Sequence, residues 1–176
     1  VMSAANHARH VAAVVVVAMA EEAEPFLNAL PERGAAEPEP PTPLGEARAR
    51  SLRLPGEQAE RELILVRSGI GLVAAASALA TILTRVRPDA IVSAGTTGGL
   101  GREVEVGDVC ASTALAYTDA DATAFGYAYG QTPGQPAVFE GDPALLSRLA
   151  AVGPAALAGA TPSSGSARIR TGQMLS

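Results

Sequence analysis

Residues 90–101 read AIVSAGTTGGLG, and this stretch decides the fold. Ala90-Ile91-Val92 is a short apolar run of buried-strand type. The chain then breaks into glycines and threonines, with no charge and no proline before Arg102. A strand that runs into small residues lets a ligand come up against bare backbone: glycine has no Cβ to block the approach, and threonine adds a hydroxyl. In open α/β sheets, ligands sit at the carboxyl ends of strands. A glycine-rich turn with no ligand explains the stretch equally well on its own.

One step upstream, Leu63–Val66 reads as a strand that enters Ser68-Gly69-Ile70-Gly71 and then a helix. Leu72, Ala76, Leu79 and Leu83 fall on one face of that helix. Pro88 ends the unit before the strand at Ala90. Strand, glycine turn, helix and strand predict a βαβ unit with parallel pairing. Gly69–Ala74 also matches the dinucleotide pattern G-x-G-x-x-A. That pattern wants an acid at the carboxyl end of the next strand, which here reads Ser93-Ala94-Gly95, while Asp89 lies at the entering end. A nicotinamide site is therefore set aside, and no cofactor is expected.

Toward the N-terminus, Val11–Ala20 is apolar and ends Ala18-Met19-Ala20, in the manner of a cleavable signal peptide. Val14–Val17 are consecutive β-branched residues, which suit a buried parallel strand better. The run is too short to span a bilayer. Residues 1–10 are expected to be a disordered tail, and 11–176 a single domain. Glu21, Glu22 and Glu24 follow the strand. Acids favour the first turn of a helix, which explains two of the three, and the remaining carboxylate can face a site. Residues 31–60 are rich in Pro, Ala and Glu and read as a loop or a pair of short edge strands outside the site.

Downstream, Val104–Val109 reads as a turn into another strand. Four of the six aromatic residues fall between 117 and 129, a stacking surface for a ring, a subunit contact, or local packing of a long loop. Asp119 and Asp121 read as turn formers rather than an acid/base pair. Asp142-Pro143 starts a helix as N-cap and N1, with Leu145, Leu146, Leu149 and Val152 as its apolar face. Gly153–Ser166 reads as a linker, and Ala167–Leu175 as the start of a further strand.

Composition bounds the function. Hydrophobic residues make up 48% and charged residues 18%, with no Trp, so the core is aliphatic and the chain globular. A net charge of −5 argues against a nucleic acid or an anionic membrane as partner. Cys110 stands alone, which fits a reducing, cytoplasmic compartment. His7 and His10 leave no metal-ligand cluster.

Four pieces together carry a resemblance: Val17-Ala18-Met19-Ala20-Glu21-Glu22; Ser68-Gly69-Ile70-Gly71; Gly95-Thr96-Thr97-Gly98-Gly99-Leu100; and Asp119–Tyr127 with Gly130-Gln131 and Pro133-Gly134. In order and spacing the chain resembles the 5′-methylthioadenosine/S-adenosylhomocysteine nucleosidase family of the nucleoside phosphorylase superfamily. The resemblance implies a three-layer α/β/α sandwich around a mixed, mostly parallel sheet. It also implies a homodimer, a place in methionine salvage, and hydrolysis of an adenine N-glycosidic bond. By motif position Glu22 would position and activate water. Thr96, Thr97 and Gly98 would lie along the nucleoside, Met19 near the ribose, and Phe125 and Pro133 would cover the alkylthio group of the neighbouring subunit's substrate. The acid that protonates adenine, a Met-Glu pair for the ribose hydroxyls, and a last strand and helix would lie beyond Ser176. Departures from the family are Ala20 for an acid, Thr96-Thr97 for a Ser-Ala pair, and Thr118 for a histidine.

The alternatives are a related purine nucleoside phosphorylase, a futalosine-type nucleosidase, or a catalytically dead adenine-nucleoside binder if the chain truly ends at Ser176. A phosphorylase needs cations around phosphate; Arg67 stands beside the Ser68–Gly71 turn and is expected to point away along the strand.

Overall fold

The computed structural model describes residues 8–32, 42–56, 59–160 and 166–176. The chain divides into two compact units, Val1–Thr97 and Gly98–Ser176.

The first unit is a five-stranded mixed sheet between two helices. In chain order it runs β1 (Arg9–Val17), α1 (Ala20–Ala29), β2 (Thr42–Leu44), β3 (Ala47–Leu54), β4 (Arg61–Arg67), α2 (Leu72–Leu83) and β5 (Val86–Ser93). The strand order is β2-β3-β4-β1-β5. β1 pairs in parallel with β4 on one side and β5 on the other, and β2, β3 and β4 pair antiparallel. β4 and β5 are therefore parallel, as the βαβ reading requires, but they are not neighbours, because β1 lies between them.

Alternation along the strands builds two cores. Val15 and Val17 join Leu52, Leu63 and Leu65 on the face covered by Ala23, Phe26 and Leu27 of α1. Val14 and Val16 join Ala47, Ala49, Ile64 and Val66 on the face covered by Ala78 and Ile82 of α2. Helix, sheet and helix make the expected three layers within this unit. A strand buried on both faces needs an unbroken apolar run, which Val14–Val17 supply.

Several expectations change in detail. Arg9 and His10, assigned to the tail, begin β1, while residues 1–7 lie outside the described residues. Pro88 sits inside β5, paired with Val11. β5 is an edge strand of its sheet, where a missing N–H is tolerated. Within 31–60, β2 is an edge strand, but β3 is eight residues long and lies between β2 and β4. On α2 the core takes Ala78 and Ile82, with Leu79 packed against it as expected, while Leu72, Ala76 and Leu83 are exposed. The helix offers two apolar faces, and the one with the small residue Ala78 joins the core cluster that holds Ala47 and Ala49.

The second unit runs β6 (Val109–Ala116), a 3-10 turn at Thr123–Phe125, β7 (Phe139–Glu140), α3 (Pro143–Ala160) and β8 (Ile169–Leu175). Its sheet has the order β7-β6-β8, with β6 parallel to β8 and antiparallel to β7. Asp142 caps α3, its Oδ1 accepting from the amides of Ala144 and Leu145, both at 2.9 Å. α3 does not stop at Gly153, where a linker was expected, but continues through Pro154 to Ala160. Gly153 is the residue that packs, because a Cβ there would meet Ile169 of β8 at 2.8 Å. The inward stripe is the half-buried Leu146, Leu149 and Leu157 with the buried Gly153, whereas Leu145 and Val152 are exposed. By length and composition α3 is apolar enough to cross a membrane, yet its stripe faces β6 and β8. Residues 161–165 lie outside the described residues.

Candidate active site

The carboxyl ends of β4, β1 and β5 come level. The Ser68 amide donates to Val17 O at 2.9 Å, Gly69 N to Ala18 O at 3.1 Å, and Ala94 N to Val16 O at 2.9 Å. From β1 the chain leaves through α1 on one face, and from β4 through α2 on the other. The crevice at the end of β1 is thus a topological switch point, the place where such sheets bind ligands.

One side chain occupies that crevice. Glu22 is the third residue of α1, with Met19 as N-cap. Its Oε2 accepts from the amides of Ala18 at 2.9 Å and Met19 at 3.0 Å. Its Oε1 accepts from Thr96 twice, from the amide at 2.8 Å and the hydroxyl at 3.0 Å. The carboxylate therefore ties the start of α1 to the loop after β5. The Thr96 amide is the main cause that holds the Glu22 carboxyl below the usual carboxylate range; partial burial works against it, and the Met19 and Ala18 amides and the Thr96 hydroxyl add to it. Glu21 and Glu24 are exposed, so helix-start chemistry takes these two and the crevice takes the third.

Gly95 is the residue that sequence reading undervalued. A Cβ there would lie 2.6 Å from Glu22 Oε1, so only glycine lets the carboxylate reach the Thr96 amide. Its signal was its place in the glycine run, without a partner to explain it. Ser68 is buried, its hydroxyl bonded to Gly69 O at 2.8 Å. Gly69 and Gly71 have φ of +87° and +104°, so this turn uses its glycines for backbone shape.

The structure thus brings Glu22, Met19 and Thr96 together. Thr97 is exposed. Gly98 opens the second unit, with nothing within 4 Å of its Cβ position. Phe125 and Pro133 are exposed in the second unit, Phe125 at 82%. Their loop is folded on itself: Tyr129 Oη donates to Thr118 O at 2.9 Å, Gly130 N to Ala120 O at 2.8 Å, and Gln131 Nε2 to Gln135 O at 2.8 Å. Asp121 accepts from the Thr123 hydroxyl and amide, which hold its carboxyl low, as a turn former does. Asp108, not singled out from sequence, accepts from the amides of Glu105 and Arg168 and from Arg170; the Glu105 amide is the largest cause of its lowered pKa. It fastens β6 to β8. Among the described residues no three His, Cys, Asp or Glu side chains cluster as metal ligands would.

The family model of the Phosphorylase superfamily matches residues 12–176. A 5′-methylthioadenosine/S-adenosylhomocysteine nucleosidase of Listeria innocua is 45% identical over 93 residues, which are 53% of this chain and 40% of that protein. The nucleosidase of Neisseria meningitidis, solved with methylthio-immucillin-A, superposes with a TM-score of 0.69 at 30% identity, covering 94% of this chain and 64% of that one. The Streptococcus pyogenes S-adenosylhomocysteine nucleosidase, solved with 5-methylthiotubericidin, gives 0.68 at 27% identity, covering 95% and 63%. The chain thus spans less than two thirds of the length of these relatives. Across nearly all of its own length, in the motifs that build the Glu22 crevice as in the α/β fold, the chain belongs to the phosphorylase superfamily.

Proposed function

We propose that the protein hydrolyses the N-glycosidic bond of 5′-methylthioadenosine, S-adenosylhomocysteine or both, releasing adenine and the 5-thioribose product. The observation that carries this reading is the Glu22 carboxylate, held ionised at the carboxyl end of β1 by three amides and one hydroxyl. The activities and bound ligands of the relatives support it.

Glycosidic cleavage passes through an oxocarbenium-like state. A fixed carboxylate stabilises that cation and orients the water that attacks it. A carboxylate offers about four acceptor positions, and the four donors fill them. Three donors are backbone and cannot leave without moving the strand ends. The Thr96 hydroxyl rotates freely, so water reaches Oε1 by taking its place. Glu22 then receives a proton from that water while the bond between sugar and adenine breaks. Adenine leaves as the neutral base once an acid protonates its ring.

In this reading Met19 lies along the ribose and Thr97 and Gly98 along the nucleoside. Phe125 and Pro133, exposed on a self-supported loop, cover the alkylthio group in a neighbouring subunit of a homodimer. The protein would work in the cytoplasm, in methionine salvage. The test is product analysis of methylthioadenosine turnover by the full-length protein, with and without phosphate. Adenine and free 5-methylthioribose in both conditions are expected. Phosphate-dependent ribose 1-phosphate products would assign the protein to the phosphorolytic side of its superfamily.

A further inference from the structure

The face of the first sheet that α1 covers changes character along β3 and β4. Leu52, Leu63 and Leu65 are buried under the helix. Toward the β2–β3 turn and the carboxyl end of β4, the same face carries Arg50, Arg48 and Arg67. Arg48 and Arg67 are direct partners in the antiparallel ladder, an arrangement in which like charges repel. Arg50 lies two residues along β3, on the same side of the pleat. With Ala20, Ala23 and Leu27 of α1, the three arginines line a cavity of about 270 Å³, and among the described residues that line it none is acidic.

The local charge is only partly answered. Glu32 pairs with Arg50. Arg48 uses Nη1 on the carbonyls of Gly45, Glu46 and Ala47, at 2.9, 3.3 and 2.8 Å, and among the described residues no carboxylate pairs with it. Among the described residues, none pairs with Arg67. Ala20 is the first residue of α1, so the positive end of that helix meets the cavity rim. Directly opposed arginines at a helix start disfavour the empty state, and a bound anion reverses the sign of that interaction.

We propose that this cavity is an oxyanion site, in which Arg48 and Arg67 grip a phosphate group by their planar forks and Arg50 backs them. Guanidinium matches phosphate in two-point geometry. The cavity is about nine times the ~30 Å³ share of a liquid water molecule, so it admits free phosphate or a small phosphate monoester. An anion held there clamps the first turn of α1, which carries Glu22, against β3 and β4. The proposal does not rest on the proposed reaction, and its test needs no nucleoside.

The experiment is calorimetric titration of the full-length protein with inorganic phosphate and, separately, glycerol 3-phosphate, in chloride buffer at constant ionic strength. Saturable binding of at least one is expected, with affinity reduced tenfold or more in Arg67→Gln and in Arg48→Gln. Tighter binding of the ester assigns the site to phosphorylated metabolites, and equal or tighter binding of phosphate assigns it to the free ion. Without phosphate, Arg67→Gln should melt no lower than the wild type, because it removes a repulsion. Absence of binding, a response that chloride reproduces, or binding unchanged in both variants would overturn the proposal.

Discussion

The two units differ in where they hide apolar surface. Among the described residues, every buried apolar side chain lies between Val11 and Val86, in the first unit. In the second, α3 buries only Gly153, while Leu115, Phe125, Tyr129 and Val152 are exposed. The first unit closes two cores around its own sheet and fixes Glu22 with its own backbone. The second presents a short sheet and an aromatic loop in which Tyr117 packs edge-on against Phe139, while Phe125 and Tyr129 find little cover within it. The difference teaches that the carboxylate is preorganised by a rigid body, whereas the residues assigned to cover the alkylthio group depend on what meets them from outside.

The largest expected effect tests that asymmetry directly. Leu52→Ala removes a fully buried side chain and should cost about 2–5 kcal/mol of unfolding free energy. Leu115→Ala, at 41% exposure, should cost less than about 1 kcal/mol. Chemical denaturation of both variants checks the pair, and equal losses would erase the contrast. Next comes Gly95→Ala. Its Cβ would collide with Glu22 Oε1, so kcat should fall by about 100-fold with little change in melting temperature. Unchanged kcat would mean that the position of the carboxylate is immaterial.

A smaller effect concerns pH. Hydrogen bonding holds Glu22 in the first unit, and Asp108 and Asp121 in the second, below the usual carboxylate range. Carboxylates depressed in the folded state contribute stability that is complete above their unfolded pKa of about 4 and lost as pH falls through the folded one. The acid limb of kcat/KM due to Glu22 should therefore lie below the ordinary glutamate range, and Glu22→Gln should flatten part of the acid unfolding curve. The smallest effect belongs to Phe125→Ala. It should raise KM for methylthioadenosine a few-fold and leave kcat nearly unchanged, as expected for a contact made outside the rigid body.

How much of this was legible in the sequence depends on how local each signal is. Val14–Val17 announced a strand buried on both faces because the pattern lies within four residues. The capping at Asp142 was legible for the same reason. Glu22 was one of three acids until the motif order singled it out, since its partner Thr96 lies 74 residues away. The extension of α3 through Gly153 and Pro154 was misread as a linker. Glycine and proline break helices by their intrinsic preference, and the contact with Ile169 that favours glycine there is non-local. The facing of Arg48 and Arg67 was invisible, because cross-strand register is set by pairing rather than by composition.

The most direct measurement is single-turnover adenine release from methylthioadenosine by Glu22→Gln, alongside the affinity of the variant for a nucleoside inhibitor. A carboxamide keeps the volume and loses the charge and the basic oxygen. A fall of about 10²–10⁴-fold in the rate, with inhibitor affinity kept within a few-fold, is the predicted result. Release at the wild-type rate would show that a different group readies the water.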